Sequence, residues 1–247
     1  MPTYQMRALE CPLCGTTSER SVAVSIDAGR SQKTRQEIMQ GRFQRFECNY
    51  CGHSYVADGP LIYIDFQNKH WVGVFPRQWE MSWWQWEHEP GAAFSSSMLE
   101  TSPPVVRSWA PGFTIRAVFG LAALREKLLC CDAGIDDRAL EVVKLDLLRS
   151  SPHTLFSLDG RPRLVDATAD ELVFHLVTSL DEWPQISDEP QRVPARVRIA
   201  RQRLDEMTGS AWQPALSALS QGAYVDIGRL MICDDQPRAS ETLATAE

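Results

Sequence analysis

The sequence predicts an α+β fold: a small zinc-ribbon-like β unit with one short helix, then a helical hairpin and a small α/β C-terminal portion. Three observations predict it. Two Cys-x-x-Cys-Gly turns punctuate residues 1–76, short apolar runs of period two surround them, and helical apolar stripes appear only beyond residue 113. With 44% hydrophobic and 23% charged residues over 247 positions, the chain can bury a core without disulfides.

The elements follow in order. SVAVSI (21–26) alternates apolar and polar residues as a half-buried strand does. SQKTRQEIMQG (31–41) has helix-forming residues and ends at Gly41, which suits a short helix. RFQRFEC leads into the second cysteine pair, and PLIYIDF and HWVGVF read as further strands. Residues 77–112 lose clear periodicity, mixing tryptophans, a serine run and prolines, and read as a Trp-rich insertion or linker.

A C-terminal α+β domain is expected over 113–232. Val118, Phe119, Leu121, Ala122, Leu124, Leu128 and Leu129 make one helical stripe, and Leu140, Val143, Leu147 and Leu148 a second. Asp136 and Asp137 suit the cap and acidic first turn of the second helix. PRLVDATADELVFHLVTSL predicts a β-hairpin around DATAD. VPARVRIARQRLDEMTG predicts a helix from Pro194 to Gly209, SAWQPALSALSQG a short helix, and AYVDIGRLMI a last strand, with 233–247 as a flexible tail.

The cysteines carry the most specific chemistry. Cys11 and Cys14 in CPLCG, and Cys48 and Cys51 in CNYCG, form a C-x2-C-x33-C-x2-C pattern. Two such turns present four thiolates to one ion, and four sulfurs at about 2.3 Å satisfy tetrahedral zinc with no open position. Iron in a rubredoxin-like site is the chemical rival. A thioredoxin-type redox pair needs only one Cys-x-x-Cys and a βαβ context that is missing. A closed site of this kind supports a fold and leaves no coordination position for substrate, so structural zinc is expected and zinc catalysis is not.

CPLCG, SVAVSIDA and IMQGRFQRFECNYCGHSYVADGPLIYID together closely resemble the bacterial CpXC family, named for its paired cysteine motifs, and LREKLLCCDAGIDDRALEVVK resembles the helical segment of its longer members. The resemblance is strongest over residues 9–76. Its motif cysteines fall on Cys11, Cys14, Cys48 and Cys51, with Asn49 where the proline of the name would stand. It implies a fold and a metal, and no reaction.

The other features have competing readings. Trp79, Trp83 and Trp86 fall at i, i+4, i+7 and with Trp84 form either a partner surface or a patch packed on the chain's own core. Glu80, Glu87 and Glu89 beside them oppose phosphate binding, so a functional patch would meet a protein. His53 is read as tuning the sulfurs or lying on the surface. Arg192, Arg196, Arg198, Arg201 and Arg203 form a basic run without one clean stripe, better suited to pairing with carboxylates than to a nucleic-acid groove. Cys130, Cys131 and Cys233 are read as core thiols. Arg125 with Glu126, or Asp136 with Asp137, supply charge but no set of nucleophile, base and orienter.

A net charge of −7 argues against coating nucleic acid over the whole surface. Without a signal-like leader or an uninterrupted apolar span, and with four of its seven cysteines in knuckle spacing, the chain is expected to be cytoplasmic. The expected function is a zinc-binding protein-interaction or scaffold module and not an enzyme. A nucleic-acid-binding zinc ribbon is the alternative, and an enzyme with a site away from the zinc a further one.

Overall fold

The computed structural model describes residues 2–150, 161–176 and 196–232. Strands β1 (Thr3–Glu10), β2 (Thr17–Asp27), β5 (Leu61–Asp65), β6 (His70–Phe75) and β7 (Thr114–Phe119) form one mixed sheet in the order β1-β2-β5-β6-β7. A separate two-stranded ribbon pairs β3 (Arg45–Glu47) with β4 (Ser54–Val56). Helix α1 (Gln32–Met39) lies where the sequence predicts it and is followed by Gly41 at φ +67°, a conformation glycine adopts without strain.

Over β5, β6 and β7 both faces of the central sheet are buried. On one face Ile26, Leu61, Tyr63, Val72 and Val74 pack with Ile38 of α1 and with Leu124 and Leu128 of α4 (Leu121–Asp132). On the other, Trp71, Ile62, Ile64 and Ile115 meet Phe94, Met98 and Ala110. The second set comes from the irregular segment. It folds as a 3₁₀ stretch (Arg77–Gln85), α2 (Glu89–Phe94), a π-helical turn (Ser95–Glu100) and α3 (Pro104–Arg107), which cover the sheet face between β6 and β7.

Gly73 is the point of closest approach, because a Cβ there would overlap the Pro90 ring. Proline cannot swing aside as a flexible side chain can, so Gly73→Ala is expected to cost about 1–3 kcal/mol. Chemical denaturation against wild type checks it; an unchanged midpoint would show that α2 is free to move off the sheet.

Three sequence readings are corrected by the structure. Val118 and Phe119 belong to β7, and the helix starts only after Gly120, whose φ of +81° turns the chain sharply between the two elements. Their spacing mimics a helical stripe because strand and helix abut across one residue. The helical hairpin itself stands as α4 and α5 (Asp137–Ser150).

Strands β8 (Pro162–Ala167), β9 (Glu171–Leu176) and β10 (Arg196–Ala200) form a second, antiparallel sheet in the order β10-β9-β8. The predicted hairpin is β8–β9. The predicted helix over Pro194 to Gly209 is instead β10 followed by the single turn α6 (Arg203–Glu206), because Val197 and Ile199 alternate with arginines and pair with Phe174 and Leu172. The second core joins Leu164, Leu172 and Phe174 to Leu140 and Val143 of α5 and to Leu219 of α7 (Gln213–Leu219). AYVDIGRLMI is not a strand: it runs through buried Tyr224, Val225 and Asp226 into α8 (Gly228–Met231). Arg192, Pro194, Cys233 and the predicted tail lie outside the described residues.

Candidate metal centre

Each cysteine pair is the loop of a β-hairpin. Glu10 pairs with Thr17 across the first loop and Glu47 with Ser54 across the second, so both loops have the same length. Their internal bonding matches as well. The Cys11 amide donates to the Thr16 carbonyl at 3.0 Å and Gly15 to Cys11 at 2.9 Å; Cys48 donates to His53 at 2.8 Å and Gly52 to Cys48 at 2.9 Å. Gly15 and Gly52 both sit at φ +71°, where a Cβ would be strained. One local sequence pattern thus makes one local structure twice.

The two loops face each other. Cys11 and Cys51 sulfurs stand 3.7 Å apart and Cys14 and Cys48 3.6 Å, and all four lie within 4.8 Å of one another. A disulfide would need about 2.05 Å. Four sulfurs at about 2.3 Å around a tetrahedral ion would be separated by about 3.8 Å, so the observed edges fit a metal cage. Arg20 locks the loops together, donating to the Glu47 carbonyl at 2.7 Å and the Asn49 side chain at 2.8 Å. Asn49, the departure from the family motif, is therefore used as an acceptor between the two hairpins.

The thiols are unequal. Hydrogen bonds from the Thr16 hydroxyl and amide draw Cys14 down to about 6. Bonds from the Cys51 and Tyr50 amides lower Cys48. The His53 amide lowers Cys51, but burial and the neighbouring thiols outweigh it and push the group up to about 12. Amides aimed at sulfur are the outer support a thiolate cage uses. His53 contributes through its backbone, while its side chain is exposed. Cys11 and Cys48 are buried and Cys51 is exposed, with Leu13 and Tyr50 projecting from the loop tips into solvent.

A family model described as CpXC protein matches residues 9–144. The chain belongs to the CpXC family. No curated protein and no solved structure matches it. The CpXC match takes in both knuckles, strands β2, β5, β6 and β7 of the central sheet and α4; it begins near the end of β1 and ends within α5 at Lys144.

The remaining residues singled out from the sequence are placed as follows. Trp83 is buried against Tyr224, stacked at 5.2 Å, with the Arg229 guanidinium 4.3 Å from its ring. Trp79 and Trp86 stack on each other at 4.2 Å, and with Trp84 they are half-buried against the cluster of Phe75, Phe119 and Tyr224. The helical spacing that suggested one face is absent, since the segment is a 3₁₀ stretch broken at Ser82. Arg198 pairs with Glu171 at 3.2 Å, Arg203 with Asp146 at 2.8 Å and with Glu206, and Arg201 donates to the Thr168 and Ala133 carbonyls. Among the described residues, the basic run is spent on carboxylates and carbonyls, apart from Arg196. Cys130 is buried and Cys131 half-buried, and burial raises both thiols.

What sequence reading missed is a buried ionic network between α4, α5 and the second sheet. Lys144, 1% exposed at its side chain, holds Glu126 at 2.5 Å and Glu141 at 2.8 Å. Lys127 reaches Asp137 at 3.1 Å and the Val225 carbonyl at 2.5 Å, and Arg116 grips Asp137 through two bonds of 2.7 and 2.9 Å. Arg163 bridges Glu126 and Asp226 at 3.1 and 2.9 Å, while Arg161 bridges Asp226 and Glu80, whose other oxygen accepts from Tyr224 at 2.6 Å.

Glu126, Glu141 and Asp226 bring oxygens within 4.8 Å of one another, a spacing an ion could use. Lys144 already supplies a cation to two of them. Among the described residues, five acids, Glu80, Glu126, Asp137, Glu141 and Asp226, meet five bases, Arg116, Lys127, Lys144, Arg161 and Arg163, so their formal charges balance. Its members are scattered from residue 80 to 226, and no local spacing announces them.

Proposed function

We propose that the four sulfurs hold one structural zinc ion and that the zinc-supported unit serves as a cytoplasmic protein-interaction or scaffold module. The observation that carries the reading is the convergence of two hairpin loops with matched backbone bonds on four sulfurs at metal-cage separations. Zinc is favoured over iron because a closed four-thiolate site filling a structural role is its commonest use. The cytoplasmic assignment rests on thiol usage: the six cysteines among the described residues are all free. No helix among these residues is long and apolar enough to cross a membrane.

The partner surface in this reading lies on the Trp-rich segment. Trp83 anchors it internally, the half-buried Trp79, Trp84 and Trp86 pack around it, and Met81, 58% exposed, stands in solvent. Deleting residues 77–112 would also strip Phe94 and Met98 from the sheet, so a point substitution is the cleaner test. Met81→Glu should abolish capture of a protein partner from native cells while leaving the melting temperature within about 1–2 °C of wild type. Unchanged capture by that variant would rule out the surface.

A further inference from the structure

The outer face of the second sheet carries a site unrelated to the metal cage. A cavity of about 330 Å³ is lined by Arg125 of α4, Asp166 of β8, His175 of β9, and Arg196 and Arg198 of β10, together with two valines. Strand register explains the convergence. His175 lies opposite Arg196 on β10, and Val173, two residues back on the same face, lies opposite Arg198 and Asp166. The alternate residues Leu164, Leu172 and Phe174 point into the core, which leaves the polar set facing away from it.

His175 is the informative residue. It is only 4% exposed, yet neither ring nitrogen has a hydrogen-bond partner among the described residues. Buried polar groups are ordinarily satisfied, and an imidazole offers either one donor and one acceptor or two donors. Its surroundings favour an anionic partner: the described lining residues include three arginines and one aspartate. Arg198 shares its charge with Glu171 at the exposed rim. Arg125 and Arg196 are the cations that act on His175.

We propose that this pocket binds a phosphoryl oxyanion, free phosphate or the phosphate group of a small monoester, held by Arg125, Arg196 and His175 with Arg198 at the mouth. A phosphoryl anion suits a lining with more arginines than carboxylates, and planar guanidinium groups match its oxygens. The volume sits at the small end of ligand pockets, suited to a phosphoryl group with a modest substituent.

Burial lowers the His175 pKa, and the charges of Arg196 and Arg125 lower it further. A bound anion offsets those charges and favours the imidazolium, so binding takes up a proton and tightens as pH falls. Arg163 lies opposite His175 on β8 and Asp166 lines the same pocket; Arg163 is committed to Glu126 and Asp226.

The test is calorimetric titration of the full chain with inorganic phosphate and with phenyl phosphate. Saturable binding that weakens about tenfold or more in Arg196→Ala and in His175→Gln, with metal content unchanged, is the expected result. Binding of both probes identifies the phosphoryl group as the ligand, and binding of phosphate alone identifies the free ion. Sulfate, a dianion throughout the range, should bind more tightly at about pH 6 than at about pH 8 in wild type and show no such change in His175→Gln. No saturable binding, equal binding by Arg196→Ala, or Arg196-dependent binding of single-stranded DNA without binding of phosphate would overturn the proposal. Arg196 is exposed at the end of its strand, so its variant folds even if the His175 variant does not.

Discussion

Cys48→Ser is expected to release the bound ion and unfold the β3–β4 hairpin. Each of its strands is three residues long and pairs only with the other, a ribbon too small to stand alone in water. The core around it is equally small: Cys11, Cys48 and Tyr55 are its buried members, and half-buried Leu9, Cys14 and Phe46 complete it. Zinc finger peptides obtain about 10–16 kcal/mol from a closed thiolate or imidazole site, far more than this cluster could supply by burial. Metal per chain should therefore fall to a small fraction of the wild-type value. Amide exchange should rise across residues 45–56 and, through the lost Arg20 contacts, at the loop end of the β1–β2 hairpin. Cys131→Ser, half-buried and remote from the cage, should leave both readouts unchanged. Protection that survived in Cys48→Ser would show that the hairpin needs no ion.

Lys144→Met is the second large effect. Removing this ammonium leaves Glu126 and Glu141 facing each other at almost zero exposure, and breaking a buried pair from one side costs about 3–5 kcal/mol. For a chain of this size that corresponds to a fall in Tm on the order of 10 °C. Replacing one partner is expected to be much worse than replacing the set, since the cost comes from the stranded charges.

The network also predicts acid sensitivity. Burial pushes Glu126, Asp137 and Asp226 upward, but the cations win. Lys144 and Arg163 hold Glu126 low, Lys127 and Arg116 hold Asp137 low, and Arg161 and Arg163 hold Asp226 low. A carboxylate whose folded pKa lies below its unfolded value of about 4 stabilises the fold above that pH, and the contribution is lost as pH falls through the folded value. Glu141 runs the other way: burial raises it, so its own contribution declines as pH rises above the unfolded value. Three lowered groups against one raised group predict a net loss on the acid side. Urea midpoints measured from about pH 7 down to about pH 3 should fall more steeply for wild type than for Lys144→Met, in which the lowering of Glu126 is weakened.

The four-cysteine cluster was legible because its geometry is local. Each knuckle is written in five consecutive residues, and the only long-range fact required is that two of them meet. Strands β2, β5 and β6, the β8–β9 hairpin and the helices α1 and α5 were legible for the same reason, since one or two apolar faces set their periodicity. Misreadings arose where elements abut or where burial is two-sided. β7 merged with α4 across Gly120, β10 carried its strand alternation between helix-like flanks, and Tyr224 to Ile227 are buried because they contribute to or line the ionic network and not because they pair in a sheet. β1 escaped notice because it is an edge strand with most of its residues exposed. The ten charges of the network and the pocket around His175 have no sequence signature, because β8–β10, α4 and α5 bring them together from distant positions.

The central claim is that Cys11, Cys14, Cys48 and Cys51 surround one structural zinc ion. Zinc-edge X-ray absorption on protein purified without added metal, with elemental analysis of the same sample, tests it most directly. One zinc per chain with four sulfur neighbours at about 2.3 Å is the predicted result. Absence of stoichiometric zinc, or a first shell containing nitrogen or oxygen, would contradict it.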